Sequence, residues 1–115
     1  MRSAFAHTAE LDLASDLDQS APGAAIAAEL GEAADDSATA LHTAVGRVGG
    51  RVRLRVLFAC DVDLEDEVRL RICRALARGR TTGPDGSVTS WSLRDALPGA
   101  VQECERADAE RLLEV

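Results

Sequence analysis

One stretch, residues 51–80 (RVRLRVLFACDVDLEDEVRLRICRALARGR), limits what this chain can fold into more than any other. Val52, Leu54, Val56, Phe58 and Cys60 alternate with Arg51, Arg53 and Arg55, the period of a strand with one buried face. A helix follows directly. Asp61 or Asp63 can accept the orphan amide hydrogens of its first turn. Glu65, Asp66 and Glu67 crowd its start and Arg69, Arg71, Arg74 and Arg78 follow, the order that the helix dipole favours. Leu64, Val68, Ile72, Ala75 and Leu76 form the core-facing stripe, and Gly79 is placed to end the helix.

The flanking segments are weaker signals. Residues 4–13 alternate, with Phe5, His7, Ala9, Leu11 and Leu13 on one side, and predict a half-buried strand. Pro22-Gly23 reads as a turn. Residues 24–45 admit two readings. Ile26, Leu30, Leu41 and Val45 keep rough helical spacing among good helix formers, while Gly31, Asp35-Asp36-Ser37 and the β-branched residues Thr39, Thr43, Val45 and Val48 oppose one long helix. The expectation adopted is a short strand at 24–30, an acidic loop and a second strand at 40–47, with Gly49-Gly50 turning into the Arg51 strand. Gly83-Pro84-Asp85-Gly86 marks a turn, residues 88–93 a strand that Pro98-Gly99 closes, and residues 100–114 a last helix with Val101, Cys104, Ala109 and Leu112 inward. Strand, helix and strand from 51 to 93 would form a βαβ unit. The predicted class is α+β: a single domain over 1–115, a two-layer sandwich of a mixed sheet around a central βαβ unit, helices on one face.

At 115 residues with a net charge of −7, the chain disfavours nucleic acid as a partner, because like charges repel. All thirteen basic residues are arginine, and lysine, asparagine and tyrosine are absent, a pattern that a GC-rich codon pool produces. That excludes lysine Schiff-base and P-loop lysine chemistry. The three cysteines, Cys60, Cys73 and Cys104, lack any C-x-x-C spacing and suit reduced thiols. Neither a membrane span nor a signal peptide is expected, so the expected place is the bacterial cytoplasm.

Asp61-Val62-Asp63 follows a buried strand, where paired carboxylates can hold a hard cation; helix capping accounts for the same two residues. Arg51, Arg53 and Arg55 stand on one sheet face about 7 Å apart, able to grip an anion or to pair with acids of neighbouring strands. Leu70, Cys73 and Ala77 form a second apolar strip on the helix, which a last helix or another subunit could cover. Cys60 shares the parity of Val56 and Phe58 and reads as a small core hydrophobe. His7, on an apolar strand face, reads as a satisfied buried histidine, and no local spacing joins it to His42 or a cysteine as a zinc signature. The Asp16-Leu17-Asp18-Gln19-Ser20 run lacks the glycine and terminal acid of a calcium loop.

The opening MRSAFAHTAELDL, the Ala-Pro-Gly-Ala-Ala-Ile stretch and RVRLRVLF resemble a group of small proteins from GC-rich bacteria. Some of these carry a Cys/His-rich loop after the second strand. The corresponding segment here has Gly31, Glu32, Asp35 and Asp36 with no cysteine, so the metal loop is not implied. The resemblance implies no activity and lends support to a strand at 24–30.

The expectation is a non-enzymatic binding or regulatory module acting through protein–protein contacts, as a homodimer or with another protein, and with no cofactor. The alternative is a small divalent-metal-dependent enzyme or metal-binding protein using Asp61 and Asp63, assisted by Glu65.

Overall fold

The computed structural model describes residues 2–14, 17–33, 40–48 and 50–114. Its elements are β1 (Arg2–Asp12), α1 (Ala21–Ala33), β2 (Ala40–Val48), β3 (Arg51–Asp61), α2 (Glu65–Ala77), β4 (Arg80–Thr82), β5 (Val88–Ser90), β6 (Ser92–Gly99) and α3 (Arg106–Leu113). One-turn 3₁₀ segments, Val62–Leu64 and Glu103–Glu105, lead into α2 and α3. The chain is α+β.

The main sheet has the order β2-β3-β1-β6, and every neighbouring pair is antiparallel. This corrects the mixed sheet and the central βαβ unit. The segment after α2 does not return beside β3. It lies beyond β1, so β3, α2 and β6 form a split crossover with β1 inserted between the two strands. β1, α1 and β2 do the same around β3. Together they make a β-α-β-β-α-β arrangement of interleaved split βαβ units. The strand expected over 88–93 divides at Trp91 into β5, which pairs with β4 across the Gly83–Gly86 turn, and β6. β6 runs through Pro98-Gly99 where a break was expected; at a sheet edge the missing Pro98 amide costs no ladder bond.

The alternating pattern of β3 holds. Val52, Leu54, Val56, Phe58 and Cys60 are buried with Ala9 and Leu11 of β1 under Ile26 of α1 and Val68, Ile72, Ala75 and Leu76 of α2. Phe5 stacks tilted on Phe58, ring centres 5.4 Å apart. Burying these side chains stabilises the fold by about 1.5–3 kcal/mol for each large one.

Residues 21–33 are helical, which corrects the strand expected at 24–30. Alanine carries little period of its own, so 24–28 fit either pattern. The helix buries Pro22, Ala25, Ile26, Glu29 and Leu30, a 3.6-residue spacing, and Pro22 is tolerated in a first turn that needs no amide donor. The Glu29 carboxylate, buried on this face, accepts from Arg78 at 2.7 Å and ties α1 to the end of α2. The strand expected at 40–47 is β2; of the acidic loop expected before it, residues 31–33 belong to α1 and residues 34–39 lie outside the described residues.

Asp61 caps the 3₁₀ turn, accepting from the Asp63 amide at 3.4 Å. Gly79 ends the next helix with φ +71°, and its amide carbonyl accepts from the Trp91 amide at 2.8 Å. A Cβ at Gly79 would stand 2.9 Å from the Trp91 carbonyl, so glycine is required twice over there. The buried Trp91 indole donates to the Leu76 carbonyl at 2.9 Å, locking the return of the chain beneath α2.

α3 corrects the two-layer picture. It packs on the sheet face opposite α1 and α2, against β1, β3 and β2. There Ala6, Leu57 and Ala59 are fully buried and Ala109 is its own buried residue. The odd-numbered face of β3 therefore has two halves, an apolar one covered by α3 and an arginine-bearing one that α3 leaves open.

Candidate functional site

The antiparallel register of β1 and β3 sets opposite charges face to face on the open half: Glu10 lies opposite Arg53 and Asp12 opposite Arg51. Arg53 Nη2 donates to Glu10 Oε1 at 2.9 Å. Arg51 approaches Glu10 Oε2 at 3.8 Å and Asp12 Oδ1 at 3.9 Å, beyond hydrogen-bond range. Arg94 of β6 donates to Asp12 Oδ2 at 2.8 Å, extending the array across three strands. The hydrogen bond from Arg53, more than the fields of the other arginines, holds the Glu10 carboxyl below its usual range, so it stays ionised at neutral pH.

Beside this array is an open concavity of about 990 Å³. Glu10, Asp12, Arg47, Arg51 and Arg53 supply its charges, and Leu13, Ala14, Gly46 and Gly50 complete its lining. Arg47 is spent on structure, donating to the Leu13 carbonyl at 3.1 Å, which anchors the chain leaving β1. Arg51 and Arg53 are different. Their side chains are 50% and 69% exposed, and they remain accessible to an incoming acceptor.

Arg55, the third arginine of the expected set, does not join them. It turns under α3, where its Nε and Nη2 form a two-pronged pair with the Glu105 carboxylate at 3.0 and 2.5 Å. It also donates to Thr8 Oγ1 and to the Ala100 carbonyl. The pair raises the affinity of Arg55 for its proton and holds the Glu105 carboxyl below its usual range. Arg55 is thus the anchor of α3. His42 on β2 lies 3.7 Å from Asp108, a second contact between α3 and the sheet.

Asp61 and Asp63 are exposed, and the carboxylate of Asp61 faces the amide of Asp63. Among the described residues no group of three or more His, Cys, Asp or Glu side chains converges as a metal site. Leu70 and Ala77 are exposed, while Cys73 is half-buried and reaches His7. The expected strip is therefore divided, and α3 lies on the other side of the sheet from it.

His7 is buried beneath α2. Its Nδ1 is 3.1 Å from Arg69 Nη1, and its Nε2 is 3.5 Å from Cys73 Sγ. A guanidinium only donates, so Nδ1 accepts and the proton resides on Nε2, facing the sulfur. Burial, aided by the Arg69 charge, lowers the His7 pKa to about 4. Burial likewise pushes the Cys73 and Cys60 thiols up. With no proton acceptor offered to Cys73 by this imidazole, the pair is a structural contact and not a nucleophile–base couple.

Glu10, Asp12 and Arg94 were not singled out by sequence. The acids of β1 do alternate with its apolar residues, which was the available signal; their partners depend on a register that no local pattern encodes. Glu105 had a clearer signal: after Arg51, Arg53 and Arg55, the same parity turns apolar at Leu57 and Ala59, which marks a covered surface.

Comparison of the chain with protein-family models, curated proteins and solved structures finds no match. No helix among the described residues is long and apolar enough to cross a membrane.

Proposed function

We propose that this chain is a non-enzymatic binding module that receives a carboxylate-bearing protein segment on the open, arginine-bearing half of its sheet. The observation that carries this reading is Arg51. It is half exposed and stands 3.8–3.9 Å from its two nearest carboxylates, so its donors are available to a better-placed acceptor. Arg53 flanks it, and the exposed Ala14, Gly46 and Gly50 leave room beside the charges for small side chains. The net charge of −7 opposes an acidic partner at long range. Over the ~8 Å on which charges act in physiological salt, the three arginines lining the concavity outnumber its two carboxylates.

Fluorescence anisotropy with three labelled peptides, alternating Glu-Ala, Lys-Ala and Ser-Ala, tests the reading. Preferential binding of the Glu-Ala peptide, lost in Arg51→Ser/Arg53→Ser, is the expected result. Equal binding of all three, or Glu-Ala binding that survives the double substitution, would overturn it.

A further inference from the structure

We infer that two copies of this chain associate through β2, edge to edge and antiparallel, to make one continuous eight-stranded sheet. The inference is independent of what the charged face binds. Among the described residues β2 pairs only with β3, so alternate residues of Ala40–Val48 direct backbone N–H and C=O groups away from the sheet. Edges that must stay single are blunted by proline, lysine, inward charges or bulges. The opposite edge has such protection. β6 carries Arg94, Asp95 and Pro98, and its pairing with β1 is interrupted by a bulge at Glu10/Leu11. β2 has none of it. Its nine residues, ALHTAVGRV, contain no proline and no acid, and its register with β3 is unbroken.

The side chains of β2 also tolerate their own copy. With Ala44 on the two-fold axis, Thr43 falls opposite Val45 of the second copy, His42 opposite Gly46, and Leu41 opposite Arg47, so no like charges meet. A Cβ at Gly46 would have no neighbour within 4 Å, leaving room for the opposing His42. Arg47 is drawn off the edge by its bond to the Leu13 carbonyl. Gly46 lines the charged concavity, and His42 lies against Asp108 of α3. In the pair, the His42–Asp108 end of each copy would wall the concavity of the other.

Sedimentation velocity at micromolar concentration tests the arrangement. The wild-type chain is expected to sediment with twice the mass of a single chain. Ala44→Glu, at an exposed position, sets two carboxylates across the axis and is expected to halve that mass while circular dichroism stays unchanged. Ala44→Arg should do the same with the opposite charge, and Leu97→Glu on β6 should leave the dimer intact. A monomeric wild type overturns the inference, as does a dimer that persists in both Ala44 variants.

Discussion

The Arg69 guanidinium stands 3.1 Å from His7 Nδ1 and, through the same nitrogen, donates to the Ala6 carbonyl at 2.6 Å. Its carbon lies 5.3 Å from the centre of the Phe58 ring and 5.9 Å from that of Phe5. Glu65, one helical turn back, accepts from its Nε at 2.8 Å and holds the guanidinium in place. A single α2 arginine thus reaches the sheet, stacks on two aromatic faces and adds to the burial that keeps the imidazole neutral.

That relationship makes stability depend on pH in a definite direction. His7 has its pKa lowered to about 4 in the folded chain, against the ordinary 6.5 of an exposed imidazole. Between those values the unfolded chain binds more protons, so stability is greatest above pH 6.5, declines as pH falls toward 4, and gains no further penalty below. The whole contribution is roughly 3–3.5 kcal/mol. Urea unfolding of the wild type and His7→Gln at pH 7 and pH 4.5 checks this; the wild type should lose more over that interval. Equal losses would show that the imidazole is not the sensing group.

Arg55→Ala should release α3. The substitution leaves the partly buried Glu105 carboxylate without its cation, a loss of about 1.5–3 kcal/mol. Hydrogen exchange should accelerate through Arg106–Leu113 while β1 and β3 remain protected. The Glu105 contribution is present above its ordinary pKa of 4.5 and lost as acid protonates it.

Two glycines should respond oppositely to alanine. Gly79→Ala forces a side chain into φ +71° and against the Trp91 carbonyl, so a loss of more than about 1 kcal/mol is expected. Gly46→Ala meets open space within a strand and should gain about 0.5–1 kcal/mol. Paired thermal melts decide both.

On the charged face, Arg53→Ser should weaken the Glu-Ala peptide about tenfold, the equivalent of about 1.4 kcal/mol. Raising salt should weaken the wild-type interaction more than that of the variant. An unchanged affinity would place the contact elsewhere.

The parts of the fold that were legible in the sequence are those whose periods are local. Val52 to Cys60 announces a strand and Val68 to Leu76 a helix, because burial of one side dictates where apolar residues recur. Residues 24–28 defeated that reasoning, since alanine is small enough to be buried or exposed at either period. Strand neighbours are a different kind of information. Nothing local says that β6 should pass beyond β1, a choice made by the two crossovers together. The site divided along the same line: Arg51 and Arg53 were visible as a ladder, yet their setting depends on Glu10 and Asp12, which are distant in the chain. Arg55 looked like a third rung until Glu105 claimed it.

Trp91 supplies a practical benefit. Being the chain's one indole, and sealed under Leu76 where the polypeptide re-enters the sheet, it gives the folded protein an optical signature that requires no label. Its emission should shift to longer wavelength when that junction opens, so the docking of α2 can be followed in real time at concentrations far below those needed for spectroscopy of the backbone.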